Sequence, residues 1–189
     1  GNVSGLTDRG DVRYALRNYG ASLEDYRAAL AHEPENRTAL RGQARALVLL
    51  GRASEVPQGL MDLTNFAVPY DHRAKFSFSG MDLRGAIFRN AYIHAPSFAG
   101  ANLSGVVFSG ASLTGADFSG ANLNGARFES MRSLSSAKFE GATLDAASFR
   151  NTFLQGIQFG RTDLRNVVFA DTKLDNINLQ DVRLLAVDW

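Results

Sequence analysis

From residue 76 onward an apolar side chain returns at every fifth position. The series runs Phe78, Leu83, Phe88, Ile93, Phe98, Leu103, Phe108, Leu113, Phe118, Leu123 and Phe128. One extra residue within Glu129 to Ser133 shifts the frame, which resumes at Leu134 and continues through Phe139, Leu144, Phe149, Leu154, Phe159, Leu164, Phe169, Leu174, Leu179 and Leu184. A period of five is neither 3.6 nor 2, so one helix or one flat strand would scatter these residues over all its faces; the chain has to turn every five residues. The position two before each centre is also expected to point inward. It is Ala at 86, 91, 101, 111, 116, 121, 126, 137, 142 and 147, and mainly Thr, Val or Ile from 152 onward, which predicts different packing in the later part. Gly, Asn, Asp and Ser fill the intervening positions, where turns need permissive backbone or local side-chain bonds.

The first 60 residues follow another rule. From Tyr19 to Gly51 the apolar residues fall at helical spacing, with a break at Pro34, and predict two helices joined by a turn. The chain thus divides into a helical region over 1–60, a junction over 61–75 and a repeat region over 76–189.

Written from Ala101, the repeat reads ANLSG VVFSG ASLTG ADFSG ANLNG. It resembles the pentapeptide-repeat family over about 110 residues. The resemblance implies a mainly β fold, a right-handed quadrilateral β-helix with four pentapeptides per coil, in which residues twenty apart stack. Phe78, Phe98, Phe118, Phe139 and Phe159 then form one column, and Phe88, Phe108, Phe128, Phe149 and Phe169 the opposite one. Two Phe and two Leu per layer suit a narrow core that four Phe would overfill. The 22 centres make about 5.5 coils, a rod of about 26 Å at the usual strand spacing. In the helical region, Leu6, Gly10, Tyr26, Ala29 and Pro34, then Leu40, Ala44, Leu47 and Gly51, resemble a tetratricopeptide repeat and a second, truncated one that departs from the pattern at Val56-Pro57. Solenoid ends expose apolar core and unpaired backbone. The helices are therefore expected to cap the first coil, where Phe76 and Met81 are large for their inward position. The tail Leu184 to Trp189 is expected to plug the other end or to form half of a homodimer contact.

Charge and candidate chemistry narrow the function. Twenty basic and 19 acidic residues leave a net charge of +1, and residues 76–189 carry ten of each. No field steers the molecule to nucleic acid, and no direct nucleic-acid binding is expected. No cysteine is present, and no run of 18 apolar residues that would span a membrane. Cytoplasm and periplasm both remain open, because a chain that opens on Gly1 rather than Met reads as trimmed. The three histidines, His32, His72 and His94, stand in different segments and form no ligand spacing, and Asp71-His72 reads as an exposed turn rather than half of a catalytic pair. No enzyme activity, cofactor or metal is expected.

What remains is binding through repeat surfaces. Arg37, Arg41 and Arg45 lie four apart on one helix face, which in the tetratricopeptide resemblance looks into the ligand groove and suits a peptide carboxylate. On the rod, the residue before each centre points outward, placing Ile87 and Val107 on one wall and Tyr92 and Phe153 on the next. Leu185 and Trp189 mark the C-terminal end. The expected function is a non-catalytic protein-binding or scaffold role with an unidentified protein partner. The pentapeptide resemblance implies an alternative, a DNA-mimicking protein that binds and protects a type II topoisomerase such as gyrase, but such mimicry needs an anionic rod.

Overall fold

The computed structural model describes residues 2–67, 76–184 and 186–188. Three α-helices come first: α1 (Val3–Ala15), α2 (Tyr19–His32) and α3 (Arg37–Leu49). Each begins at an asparagine whose side chain accepts a hydrogen bond from a first-turn amide: Asn2 from Gly5, Asn18 from Ala21 and Asn36 from Ala39. Asparagine is among the best residues at this position because it satisfies an otherwise unpaired donor. Asp25 on α2 is buried and receives both Arg9 and Arg13 of α1, at 2.7 and 2.8 Å. After α3 only one 3-10 turn forms, Ala53–Glu55, before the chain enters the rod.

The rod is a four-sided parallel coil. From Ser77 onward, bridges join residues one coil apart, as in Asp82↔Asn102↔Asn122↔Thr143↔Asp163↔Arg183, with twenty residues per turn and one step of twenty-one in each column that crosses the bulge; the first bridges, Asp62↔Ile87 and Ala67↔Tyr92, step by twenty-five. Among the described residues, two rungs are regular enough to form strands, β1 (Phe153–Gln155) and β2 (Lys173–Asp175), paired in parallel. The coil begins within the stretch expected as a junction: Asp62 bridges Ile87 and Ala67 bridges Tyr92. Met61, Leu63 and Phe66 are buried in the rod core.

Inside, the two phenylalanine columns stand as the repeat implies. Phe98 and Phe118 stack at 5.0 Å and 4°, and Phe108 and Phe128 at 4.8 Å and 9°. Across the core the columns meet edge to face, Phe98 with Phe108 at 5.8 Å and 76°. Both geometries are favourable for aromatic quadrupoles. The inward alanines from 86 to 147 are all buried. The later coils do pack differently: Thr152 and Thr172 are inward and donate their hydroxyls to the carbonyls of Phe128 (2.6 Å) and Phe149 (2.7 Å), one coil back. Thr162, fully buried, donates to Phe139 at 2.6 Å and also to Phe159.

The frame shift resolves into one bulged residue. The amides of Arg132 and Ser133 both donate to the carbonyl of Ala111, while Ser133 keeps the bridge to Ser112. Met131 takes the inward place that alanine holds elsewhere, Leu134 returns to the core, and Arg132 is left exposed.

The helices cover the beginning of the rod. Ala44 and Val48 of α3 belong to the same apolar cluster as Phe66, Phe76 and Phe78, with Leu49, Val56 and Met81 packed against it. The apolar end that the sequence leaves open is thus closed by α3.

Candidate binding surfaces

The arginine face of α3 divides. Arg37 is exposed. Arg41 pairs with Asp62 of the first coil at 2.8 Å, and Arg45 donates to the carbonyl of Thr64. Burial alone would raise the Asp62 carboxyl, but its bonds from Thr64 and Arg41 outweigh this and hold it below its ordinary value. Beside these residues a cleft of about 130 Å³ is lined by Asp11, Tyr14, Tyr26, Thr38, Arg41, Gly42 and Arg45. Burial pushes the Tyr14 hydroxyl up to about 12, against the opposing pull of Arg45. Tyr26 is raised as well, first by burial and then by donating to Asp11 at 2.6 Å. Tyr26 also sets how closely the helices approach: a Cβ added at Gly10 or Gly42 would lie 2.7 or 2.3 Å from its ring.

The walls follow the outward columns read from the sequence. Ile87, Val107, Arg127, Ser148 and Val168 bridge one another in order, so they share one wall. Ile87 is 38% exposed and Val107 half-buried. Tyr92 and Ser112 bridge on the next wall, with Ser133 following and Phe153 opening β1. Tyr92 and Phe153 are 46% and 47% exposed. Among the described residues these side chains stay uncovered, while α3 packs on the beginning of the rod. The last coil leaves Leu174 and Leu184 exposed, whereas Leu103 and Leu123 are fully buried. Leu185 and Trp189, like Asp71 and His72, lie outside the described residues.

Three of the carboxylates on the walls are paired with a neighbouring arginine. Arg84 holds Asp82, Arg127 holds Glu129 and Arg165 holds Asp163, at 2.7, 2.7 and 2.9 Å. The bond from Arg127 keeps Glu129 below its ordinary carboxyl value. Arg132 was missed by reading the repeat, since a five-residue frame assigns no place to an inserted residue; the frame shift itself was the available signal. Among the described residues no cluster of histidines and carboxylates converges to hold a metal, and no helix is long and apolar enough to cross a membrane.

Residues 97–129, 133–166 and 142–184 match the model of pentapeptide repeats, in eight copies, with the interruption at the bulge. No curated protein matches the chain. Among solved structures, the chain is similar to HetL, a pentapeptide repeat protein involved in heterocyst differentiation regulation from the cyanobacterium Nostoc sp. strain PCC 7120. That likeness has 23% identity over 67% of this chain and 60% of HetL, with a TM-score of 0.48. A pentapeptide repeat protein of the Arabidopsis thaliana thylakoid lumen is 25% identical over 64% of this chain and 77% of its own, with a TM-score of 0.33. QnrB1, a plasmid-mediated fluoroquinolone resistance protein, is 21% identical over 53% and 60%, with a TM-score of 0.27.

Proposed function

Residues 97–129 and 133–184 belong to the pentapeptide-repeat family, and on that premise we propose that this protein is a non-catalytic scaffold which binds another protein through two adjacent walls of its rod. The observation that carries this reading is where the helices sit. They close the end of the coil and leave the walls bare, so Ile87, Tyr92 and Phe153 stand about half exposed on rigid backbone. Large apolar side chains held outward on a regular scaffold favour association, because contact costs little ordering of the site. The Arg37 to Arg45 face takes a smaller part, since two of its three guanidiniums already bond the first coil. The C-terminal coil, with Leu174 and Leu184 exposed, is the face on which a second copy would close the rod. The gyrase-protection alternative finds no support in the charge pattern: the walls lack the anionic surplus that DNA mimicry needs, and Asp82, Glu129 and Asp163 are each neutralised by a neighbouring arginine.

The test places a photocrosslinking residue at Ile87 or Tyr92 of the full chain, and at exposed Gln158 on another wall, in extracts of the native source. A discrete adduct from the first two positions, absent from the third, supports the reading. The same diffuse background from all three overturns it.

A further inference from the structure

The corner between these two walls carries a feature outside the five-residue rule. Arg89-Asn90-Ala91-Tyr92 and Arg150-Asn151-Thr152-Phe153 share one layout. The register Ile87↔Val107↔Arg127↔Ser148 sets them three rungs apart on the same corner. In both copies the asparagine adopts positive φ (54° and 53°) and its amide donates to the preceding rung, Asn90 to Asn65 and Asn151 to Ser130, each at 3.1 Å. The third residue is buried in both, Ala91 at 1% and Thr152 at 3%. The arginine and the aromatic are left exposed on either side of the turn. Neither Arg89 nor Arg150 forms an ion pair among the described residues, although Arg150 stands near enough to Glu129 to help hold its carboxyl down, and the bulge adds a third exposed guanidinium, Arg132, in the rung between. Glu129, the acid in that rung, is already held by Arg127.

Resting on the protein-binding reading, we propose that this corner is a docking track for an acidic peptide segment in extended conformation. Its carboxylates meet Arg89 and Arg150, and its apolar side chains lie on Tyr92 and Phe153. Three rungs span about 14 Å. An extended chain covers that in about four residues, so the matching acids stand at positions i and i+4. Guanidinium groups favour carboxylates because they donate in a planar pair, and arginine with an aromatic beside it is the pairing that concentrates binding energy at interfaces. Each wall strand is bridged to the coils on both sides, so recognition has to come from side chains rather than from an added strand. Charge decides against nucleic acid as the occupant. Residues 76–189 have no net charge, and three exposed arginines release few of the counterions that give such binding its strength.

The experiment titrates the full chain against three fluorescent probes: the peptide Glu-Phe-Gly-Ser-Glu-Phe, the same peptide with Lys for Glu, and a short oligothymidylate, read by anisotropy. The acidic peptide is expected to bind and the lysine peptide not. The double variant Arg89→Ala/Arg150→Ala should weaken the acidic peptide about tenfold, and Tyr92→Ala/Phe153→Ala should also weaken it, with melting unchanged because all four side chains are exposed. Equal binding of the two peptides, unaltered affinity in the arginine double variant, or preference for the oligothymidylate would overturn the track. A crosslinked partner at Ile87 or Tyr92 that survives the arginine double variant would leave the scaffold reading standing while the track falls, so the two fail separately.

Discussion

In the rod, Phe118 touches Phe98 and Phe139 above and below, each at 5.0 Å, and Phe108 and Phe128 across the core at 5.7 and 5.5 Å. The neighbouring rungs repeat that arrangement. In the helices, Tyr26 lies against Gly10 and Gly42 and donates to Asp11, a set of contacts made once. The rod therefore derives order from one local rule applied many times, with a mainly apolar core to which the later coils add hydrogen-bonded threonines, while the helical cap depends on a few individual fits. Repetition spreads a defect over neighbouring coils; a unique fit concentrates it.

The largest effect is expected where the repeated rule is broken at its centre. Phe118→Ala should cost about 3–5 kcal/mol, the range for emptying a phenylalanine site in a core that relaxes only in part. Chemical denaturation of the full chain measures it. A loss below about 1 kcal/mol would mean that neighbouring rungs slide to fill the gap and that the core is not close-packed around Phe118.

Gly42→Ala should cost about 1–3 kcal/mol, since the added methyl would meet the Tyr26 ring at 2.3 Å. Alanine gains about 1 kcal/mol in helix propensity, so the sign of the result decides whether the steric contact wins. The helical dichroism should melt earlier than in the parent, with the rod following at its former temperature.

High pH should separate the two regions with a smaller effect. Tyr14 is raised to about 12 from an ordinary value near 10. Its folded form holds the proton more tightly than the unfolded chain does, so this stabilisation is complete below pH about 10 and is lost as the pH climbs towards 12. Tyr26 acts in the same direction. Tyrosinate absorption should thus rise together with loss of helical dichroism, while the rod core, built on Phe, Leu and Ala, holds its β signal. Simultaneous loss of both signals would show that cap and rod unfold as one unit.

The fold of the rod was legible because a period of five admits few backbones and each central residue reports its wall independently. The column assignments for Phe98 and Phe108 needed nothing beyond counting. The helices were legible as helices through Pro34 and the apolar spacing, whereas their arrangement was not. The tetratricopeptide resemblance placed Arg41 and Arg45 on a ligand groove. Their pairing with Asp62 and Thr64 depends on how α3 meets a coil that starts within the expected junction. The outward places of Ile87, Tyr92 and Phe153 could be read from the repeat, but their exposure could not, because a helical segment packs on a wall as readily as on an end.

The sequence by itself determined the period, the four walls, the inward columns and the change from alanine to β-branched lining after residue 147, because each follows from contacts between residues a fixed number apart. Only the tertiary structure decided that Arg41 and Arg45 turn onto the first coil, that the extra residue is Arg132 and that it faces outward, and which guanidiniums of the rod pair with carboxylates. Those facts depend on which surfaces and side chains meet in space, and no local rule fixes that.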